Sequence, residues 1–229
     1  MLNKKVIFVI GPPGSGKDTQ VNLLAEKTGF YKFITGNEGL DYIEKHGDDP
    51  LTAKQKVNYD AGLLYDPEWL LKKVQAERSK EILEGDTKGI VFSGSPRTLY
   101  EAENLSRILS GLVGKENIVA IEVAISEDEL RRRSKERLVC RNDENHTFST
   151  RFLDIKEGDK CQNCDGVLGK KGLDSEKEVE VRIQQYNDRT KPGVDFLREN
   201  YKVISVDGEQ SREKVHEDIM DELNKISFI

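Results

Sequence analysis

Val6-Ile-Phe-Val-Ile10 runs directly into Gly11-Pro-Pro-Gly-Ser-Gly-Lys-Asp-Thr19. Five consecutive apolar residues bounded by glycine read as a strand buried on both faces, as in the middle of a parallel sheet. The spacing of Gly11, Gly16 and Lys17 fits the Gly-x4-Gly-Lys part of a phosphate-binding loop, with a strand before it and a helical pattern after it. Each residue type has a physical reason to be there. Glycines let backbone N–H groups curl around phosphate oxygens where a Cβ would block the approach. The following helix turns its positive end toward the same anion. Lys17 supplies a mobile charge for the outer phosphates. Gly11, Gly14, Ser15, Gly16, Lys17, Asp18 and Thr19 are therefore the candidate phosphate-cradling residues.

Working outward, short apolar runs alternate with helical patterns, which predicts an α/β fold with a five-stranded parallel sheet flanked by helices. The strands are expected at Lys5–Ile10, Tyr31–Ile34, Gly89–Ser93, Ile118–Ile125 and Lys202–Val206. Helices are expected from Lys17, Pro67, near Thr98, Ser126, Ser175 and near Ser211. Ser126 with Glu129, and Ser175 with Glu178, fit the capping box, while Asp66-Pro67 puts a capping carboxylate before a proline at the first helical position. Two stretches break the alternation. Residues 36–66 are glycine-dotted with weak periodicity, and residues 138–173 are polar and contain all three cysteines. Long insertions of this kind are usually lids or binding loops, and both fall beyond the carboxyl ends of strands, where parallel sheets bind ligands.

The 229 residues are enough for one domain with insertions, or for two small ones. A net charge of −6 with 34% charged residues argues against a basic nucleic-acid-binding stripe. No apolar run approaches a membrane span, and the N-terminal apolar run is too short for a signal-peptide core. Three cysteines, two of them as Cys161-x-x-Cys164, suit a reducing compartment and a metal better than a disulfide framework. The expectation is a cytoplasmic, soluble chain with no nucleic-acid or membrane partner. Cys140, Cys161 and Cys164 supply three thiolates, and three sulfurs favour a structural zinc over magnesium or calcium. The fourth ligand is Asp143 or His146, with the Cys140-x-x-Asp143 spacing favouring Asp143 because it mirrors the other half.

Seven motifs in order along nearly the whole chain resemble adenylate kinase, the nucleoside monophosphate kinase family in its long-lid form. They are Gly11–Gln20, Thr35-Gly36, Asp60–Asp66, Gly94-Ser-Pro-Arg-Thr98, the pair Arg133 and Arg137, the cysteine-bearing segment 140–164, and Arg182–Tyr186 with Val206-Asp-Gly208. The resemblance implies a phosphate-loop core (1–35, 67–136 and 175–229), a monophosphate-binding segment (36–66) and a lid (137–174). It implies reversible conversion of ATP and AMP to two ADP with Mg2+, in a monomer. By the same resemblance Lys17, Arg97, Arg137 and Arg182 are catalytic, Arg133 and Arg137 hold ATP, and Asp143 occupies a metal-ligand position. AMP binding falls to Thr35, Gly36, Leu64, Gly94, Arg97, Glu101, Lys171 and Arg182. Arginine suits these roles because its planar fork grips phosphate and stays charged.

Several positions depart from the family pattern. Asn37 and Ser93 stand where it usually has aspartates that hold waters on magnesium, and Asp18 follows Lys17 where it usually has glycine. Asp18 would either repel the phosphates or help the ion. Leu40 replaces an arginine that grips the AMP phosphate, Lys171 replaces an arginine, and Glu101 replaces a glutamine that reads adenine. A carboxylate offers only acceptors, so Glu101 fits guanine or cytosine as an acceptor base, unless adenine is read by backbone groups and Glu101 lies on the helix surface. A nucleotide-binding module with weakened catalysis is the alternative outside the enzymes.

Overall fold

The computed structural model describes residues 1–143 and 146–229. Its main sheet has five parallel strands in the order β2-β3-β1-β4-β8: β1 Lys5–Ile10, β2 Tyr31–Ile34, β3 Gly89–Ser93, β4 Ile118–Ala124 and β8 Lys202–Asp207. The strands fall where the sequence puts them, within a residue at two carboxyl ends. β1 is central because both of its faces are covered. Val6, Phe8 and Ile10 pack into the apolar layer under helices α6 (Leu99–Val113) and α9 (Lys191–Asn200). Ile7 and Val9 pack into the opposite layer, under α1 (Lys17–Thr28) and α10 (Arg212–Lys225). All five residues of Val6–Ile10 are buried, which is why the run shows no alternation.

The helix starts follow the capping chemistry. The side chains of Asp66, Thr98, Ser126, Ser175 and Ser211 accept from the backbone N–H three residues on, which satisfies a donor that the first helical turn leaves open. α7 (Glu127–Glu136) and α8 (Glu176–Gln185) begin this way. The helix from Asp66 runs as α4 (Pro67–Leu70), a π-helical turn at Leu71–Gln75 and α5 (Ala76–Glu84).

Two segments are more regular than their sequences suggest. Residues 36–66 carry most of α2 (Thr35–His46) and all of α3 (Pro50–Asp60). Asp49 caps α3 through Thr52 N at 3.0 Å, with Pro50 in the first turn. The glycine that weakens the α2 pattern serves packing, because a Cβ on Gly39 would lie 2.5 Å from the Tyr65 ring. Residues 137–174 build a three-stranded antiparallel sheet in the order β6-β5-β7, from β5 Arg137–Cys140, β6 Thr147–Ser149 and β7 Leu168–Gly169. Its apolar cluster is small: Leu138, Leu168, Phe148 and Ile155 with the three cysteines. Among the described residues no helix is long and apolar enough to cross a membrane.

Candidate active site

The loop between Ile10 and Lys17 turns through Gly14 at φ +73° and Gly16 at φ +91°, conformations that glycine adopts without strain. Gly11 is required for a different reason: a Cβ there would sit 2.5 Å from Val123 O and 2.9 Å from Ser15 Oγ. Pro12 O accepts from Ser15 N at 3.2 Å and from Lys17 Nζ at 3.2 Å, which curls the loop around the lysine. Ser15 Oγ is buried and has no hydrogen-bond partner among the described residues. An unpaired buried hydroxyl costs about 1–3 kcal/mol, so this one is available to a ligand oxygen. Thr19 follows in the first turn of α1, half-buried.

Cations gather over this loop. Lys17 is buried, and its pKa falls to about 8 because burial disfavours the charged ammonium; Arg97, Arg182 and Arg137 push it the same way, and Asp18 opposes them. Burial also lowers Arg182, to about 10, with Arg137 and Arg97 adding repulsion. The predicted set of Lys17, Arg97, Arg137 and Arg182 is thus brought into one electrostatic neighbourhood from four separate stretches of chain. Lys171 lies within reach of it, acting on Asp18. Arg97 leaves the turn after β3, where its guanidinium covers Gly94; a Cβ on that glycine would lie 2.8 Å from Arg97 Nη2. Thr190 Oγ1 donates to Arg97 O at 3.0 Å and fixes the turn.

Asp174 is the member that sequence reading missed. Its side chain is closed off from solvent, its Oδ2 accepts from Arg137 Nε at 2.6 Å, and its Oδ1 takes Arg137 Nη2 and faces Arg182 Nη1 at 3.5 Å. One acid in a polar stretch carries no signal of such a role. Arg133 is held on the other side of the loop: Nη1 donates to Gly14 O and Ser15 O at 3.3 Å, Nη2 to Gly208 O at 2.6 Å, and Nε to Glu129 Oε1 at 2.7 Å. It joins the loop to the segment after β8. The Glu129–Arg133 spacing of four on one helix face was a readable sign of that pair.

The candidate acceptor residues form a second group. Thr35 Oγ1 and Ser95 Oγ are 2.9 Å apart, and Tyr65 Oη donates to Gly36 O at 3.3 Å. Leu64 is half-buried in the turn before Tyr65, and Asn37 and Leu40 lie on α2. Glu101 is not a helix-surface residue. It is buried in the first turn of α6, where Oε2 accepts from Ser95 Oγ at 3.0 Å and Gln75 Nε2 at 3.3 Å, and Oε1 from Thr98 Oγ1 at 3.2 Å. Burial raises its pKa against those hydrogen bonds. Gln75 Oε1 is buried without a partner among the described residues.

In the smaller sheet, the donor atoms of Cys140, His146, Cys161 and Cys164 all lie within 4.8 Å of one another. Cys140 Sγ is 3.4 Å from Cys164 Sγ, and Cys161 Sγ is 3.7 Å from His146 Nδ1. Asn142 N and Asn163 N each donate to the sulfur two residues back, at 3.4 Å. The fourth donor in this group is His146, whereas the sequence spacing favours Asp143. The imidazole presents Nδ1 to the sulfurs, and the Asp143 carboxylate lies behind it, 3.6 Å from Nε2. An acid on the far nitrogen of a ligating histidine fixes its tautomer and orientation.

The model of the adenylate kinase family matches residues 9–202. The chain is 33% identical to an adenylate kinase of Elusimicrobium minutum over 221 residues, spanning 96% of this chain and 99% of that protein. It is 32% identical to an adenylate kinase of Archaeoglobus fulgidus over 220 residues, spanning 96% and 98%. The chain belongs to the adenylate kinase family. It is accordingly a nucleotide-binding phosphotransferase of the nucleoside monophosphate kinase type, and the adenylate kinase fold accounts for the phosphate loop at the carboxyl end of β1.

The charge state of Lys17 gives a pH test. A cation with a lowered pKa is charged below about pH 8 and neutral above it, so binding of a polyphosphate above that pH must be accompanied by proton uptake. ATP affinity measured by calorimetry is expected to fall about fivefold from pH 8 to pH 9, with proton uptake visible as a dependence on buffer ionisation heat. Constant affinity across that range contradicts the assignment.

Proposed function

We propose that this adenylate kinase family member transfers the terminal phosphoryl group of ATP to AMP, reversibly giving two ADP. The observation that carries the proposal is the convergence of Lys17, Arg97, Arg137 and Arg182 on one cleft beside the glycine loop. Phosphoryl transfer needs little covalent chemistry from a protein; it needs alignment, charge stabilisation and exclusion of water. The loop 11–19 would cradle the donor's phosphates through its N–H groups and Ser15 Oγ. Lys17 and Arg137 would hold the outer phosphates, and Arg182 the group in flight. Arg97 would fix the acceptor phosphate, with Lys171 beside it. Arg133, packed between the loop and Gly208, would line the donor's base.

The segments 36–66 and 137–174 would serve as flaps that close and exclude water, so that hydrolysis does not compete with transfer. When Arg137 turns to phosphate it must leave Asp174, and the exchange of one anion for another keeps its charge paired in both states.

Magnesium would accompany ATP and supply charge neutralisation across the transferring phosphates. The donor set suits it: the Thr19 hydroxyl and the Asp18 carboxylate lie in the first turn after the loop, and Asp18 is open to solvent.

The acceptor base is the point on which a second reading rests. Glu101 as a free carboxylate would favour guanine or cytosine. Its engagement by Ser95, Gln75 and Thr98 supports AMP instead, because donors of the protein itself already take both carboxylate oxygens. Incubation with ATP, Mg2+ and each of AMP, GMP, CMP and UMP, followed by ion-pair chromatography, is expected to give diphosphate at least about tenfold faster with AMP, and none above background with Lys17→Ala. Preference for another base transfers the assignment to Glu101 as selector; no diphosphate in any tube overturns the kinase reading.

The Cys3His cluster would hold a structural zinc. The 3.4 and 3.7 Å donor separations suit a tetrahedral ion with bonds of about 2.0–2.3 Å, and the small sheet has little other core. Chelation is expected to lower the melting temperature by about 5 °C or more, at roughly 2–4 °C per kcal/mol for this chain length. An unchanged melt contradicts a structural metal. A cytoplasmic monomer is the state that fits this activity.

A further inference from the structure

In phosphate-loop enzymes two protein groups attend the nucleotide's magnesium. One is a Ser or Thr hydroxyl directly after the loop lysine, and the other an Asp on a strand near the loop. In this chain both positions are occupied by the opposite residue. Asp18 follows Lys17, and Ser93 ends β3, the strand paired with β1. The two side chains meet: Ser93 Oγ donates to Asp18 Oδ1.

We propose that the magnesium site is built in exchanged form, with Asp18 on the loop as its anionic group and buried Ser93 as the hydroxyl that positions it. The inference deepens the kinase reading and rests on it only for the identity of the nucleotide. Two observations carry it. Asp18 is an exposed residue, while Ser93, whose hydroxyl donates to Asp18 Oδ1, is 1% exposed, so one carboxylate oxygen is fixed by the protein and the other can be left for an ion or its water. A carboxylate beside a phosphate cradle also repels the phosphates unless a cation lies between them, which explains why an acid at this position is tolerated. Magnesium is the cation such a site takes, since it is bound through one or two carboxylates together with substrate phosphates. The loss of an aspartate at position 93 is then compensated 75 residues earlier in the chain, and the ion is not left to the phosphates alone.

The test reads metal-dependent binding and needs no acceptor. ATP affinity is measured by calorimetry with Mg2+ and with EDTA, and bound Mn2+ is followed by electron paramagnetic resonance in the presence of ATP. Asp18→Asn is expected to weaken ATP binding in Mg2+ by about tenfold or more, to leave or strengthen binding in EDTA because a repulsive charge is gone, and to lose the bound Mn2+ signal. Ser93→Ala is expected to have the same sign and a smaller size. Ser93→Asp alone sets two acids together and is expected to bind poorly in EDTA, whereas Asp18→Ser with Ser93→Asp returns the metal dependence to within about threefold of the parent. If Asp18→Asn keeps the parent's Mg2+ dependence and Mn2+ signal, or if the exchanged pair fails to restore them in a protein with a normal melt, the proposal is wrong. A parent that binds ATP with this metal dependence but phosphorylates no monophosphate refutes the kinase reading alone.

Discussion

Like charges held in one cleft are the constraint around which the rest of this molecule is arranged. Burial depresses the ammonium of Lys17 and the guanidinium of Arg182, and repulsion among Lys17, Arg97, Arg137 and Arg182 adds to it. Nothing local would keep them together. They are held by a sheet whose central strand is buried on both faces, by helix caps that set where each segment turns, and by two acids. Asp174 lies between Arg137 and Arg182, and Asp18 lies beside Lys17. A site with this balance is incomplete without an anion, and a polyphosphate is the anion that the glycine loop is shaped to admit. The binding energy of phosphate then offsets a repulsion already present in the folded chain.

The two outer segments follow from the same chemistry. On the proposed function, water would compete with the acceptor for the transferred group, and closure of the two segments would exclude it. Segment 36–66 is built on helices α2 and α3 and is anchored by Tyr65 against Gly39 and by Trp69 Nε1 donating to Thr52 Oγ1. Segment 137–174 has four donors of sulfur and nitrogen in place of a sizeable core. Gly166 is needed there, because a Cβ would be driven into the Cys140 sulfur.

The fold was largely legible because its signals are local. The buried run Val6–Ile10, the Gly11–Lys17 spacing and caps such as Ser126 and Asp66 each act within a few residues, and the structure repeats them. What was not legible depends on contacts between distant segments. Helix α2 looked irregular because Gly39 reads as a breaker until Tyr65 is seen against it. Asp174 gave no pattern at all, since its meaning lies in two arginines 37 and 8 residues away. Glu101 read either as an acceptor facing the base or as a helix-surface residue, because its partners Gln75 and Ser95 come from other elements. Asp143 is favoured by a symmetrical spacing, whereas it is the His146 imidazole that lies against the sulfurs, an orientation that spacing does not encode.

The central claim is that one cleft holds donor and acceptor phosphates together, between the glycine loop and Arg97. Calorimetry with two adenosines joined by five phosphates tests it most directly, because that ligand spans both positions at once. The account predicts one ligand per chain, bound roughly a hundredfold or more tighter than ATP, with that advantage lost in Arg97→Ala. Binding no tighter than ATP, or a stoichiometry of two, would contradict it.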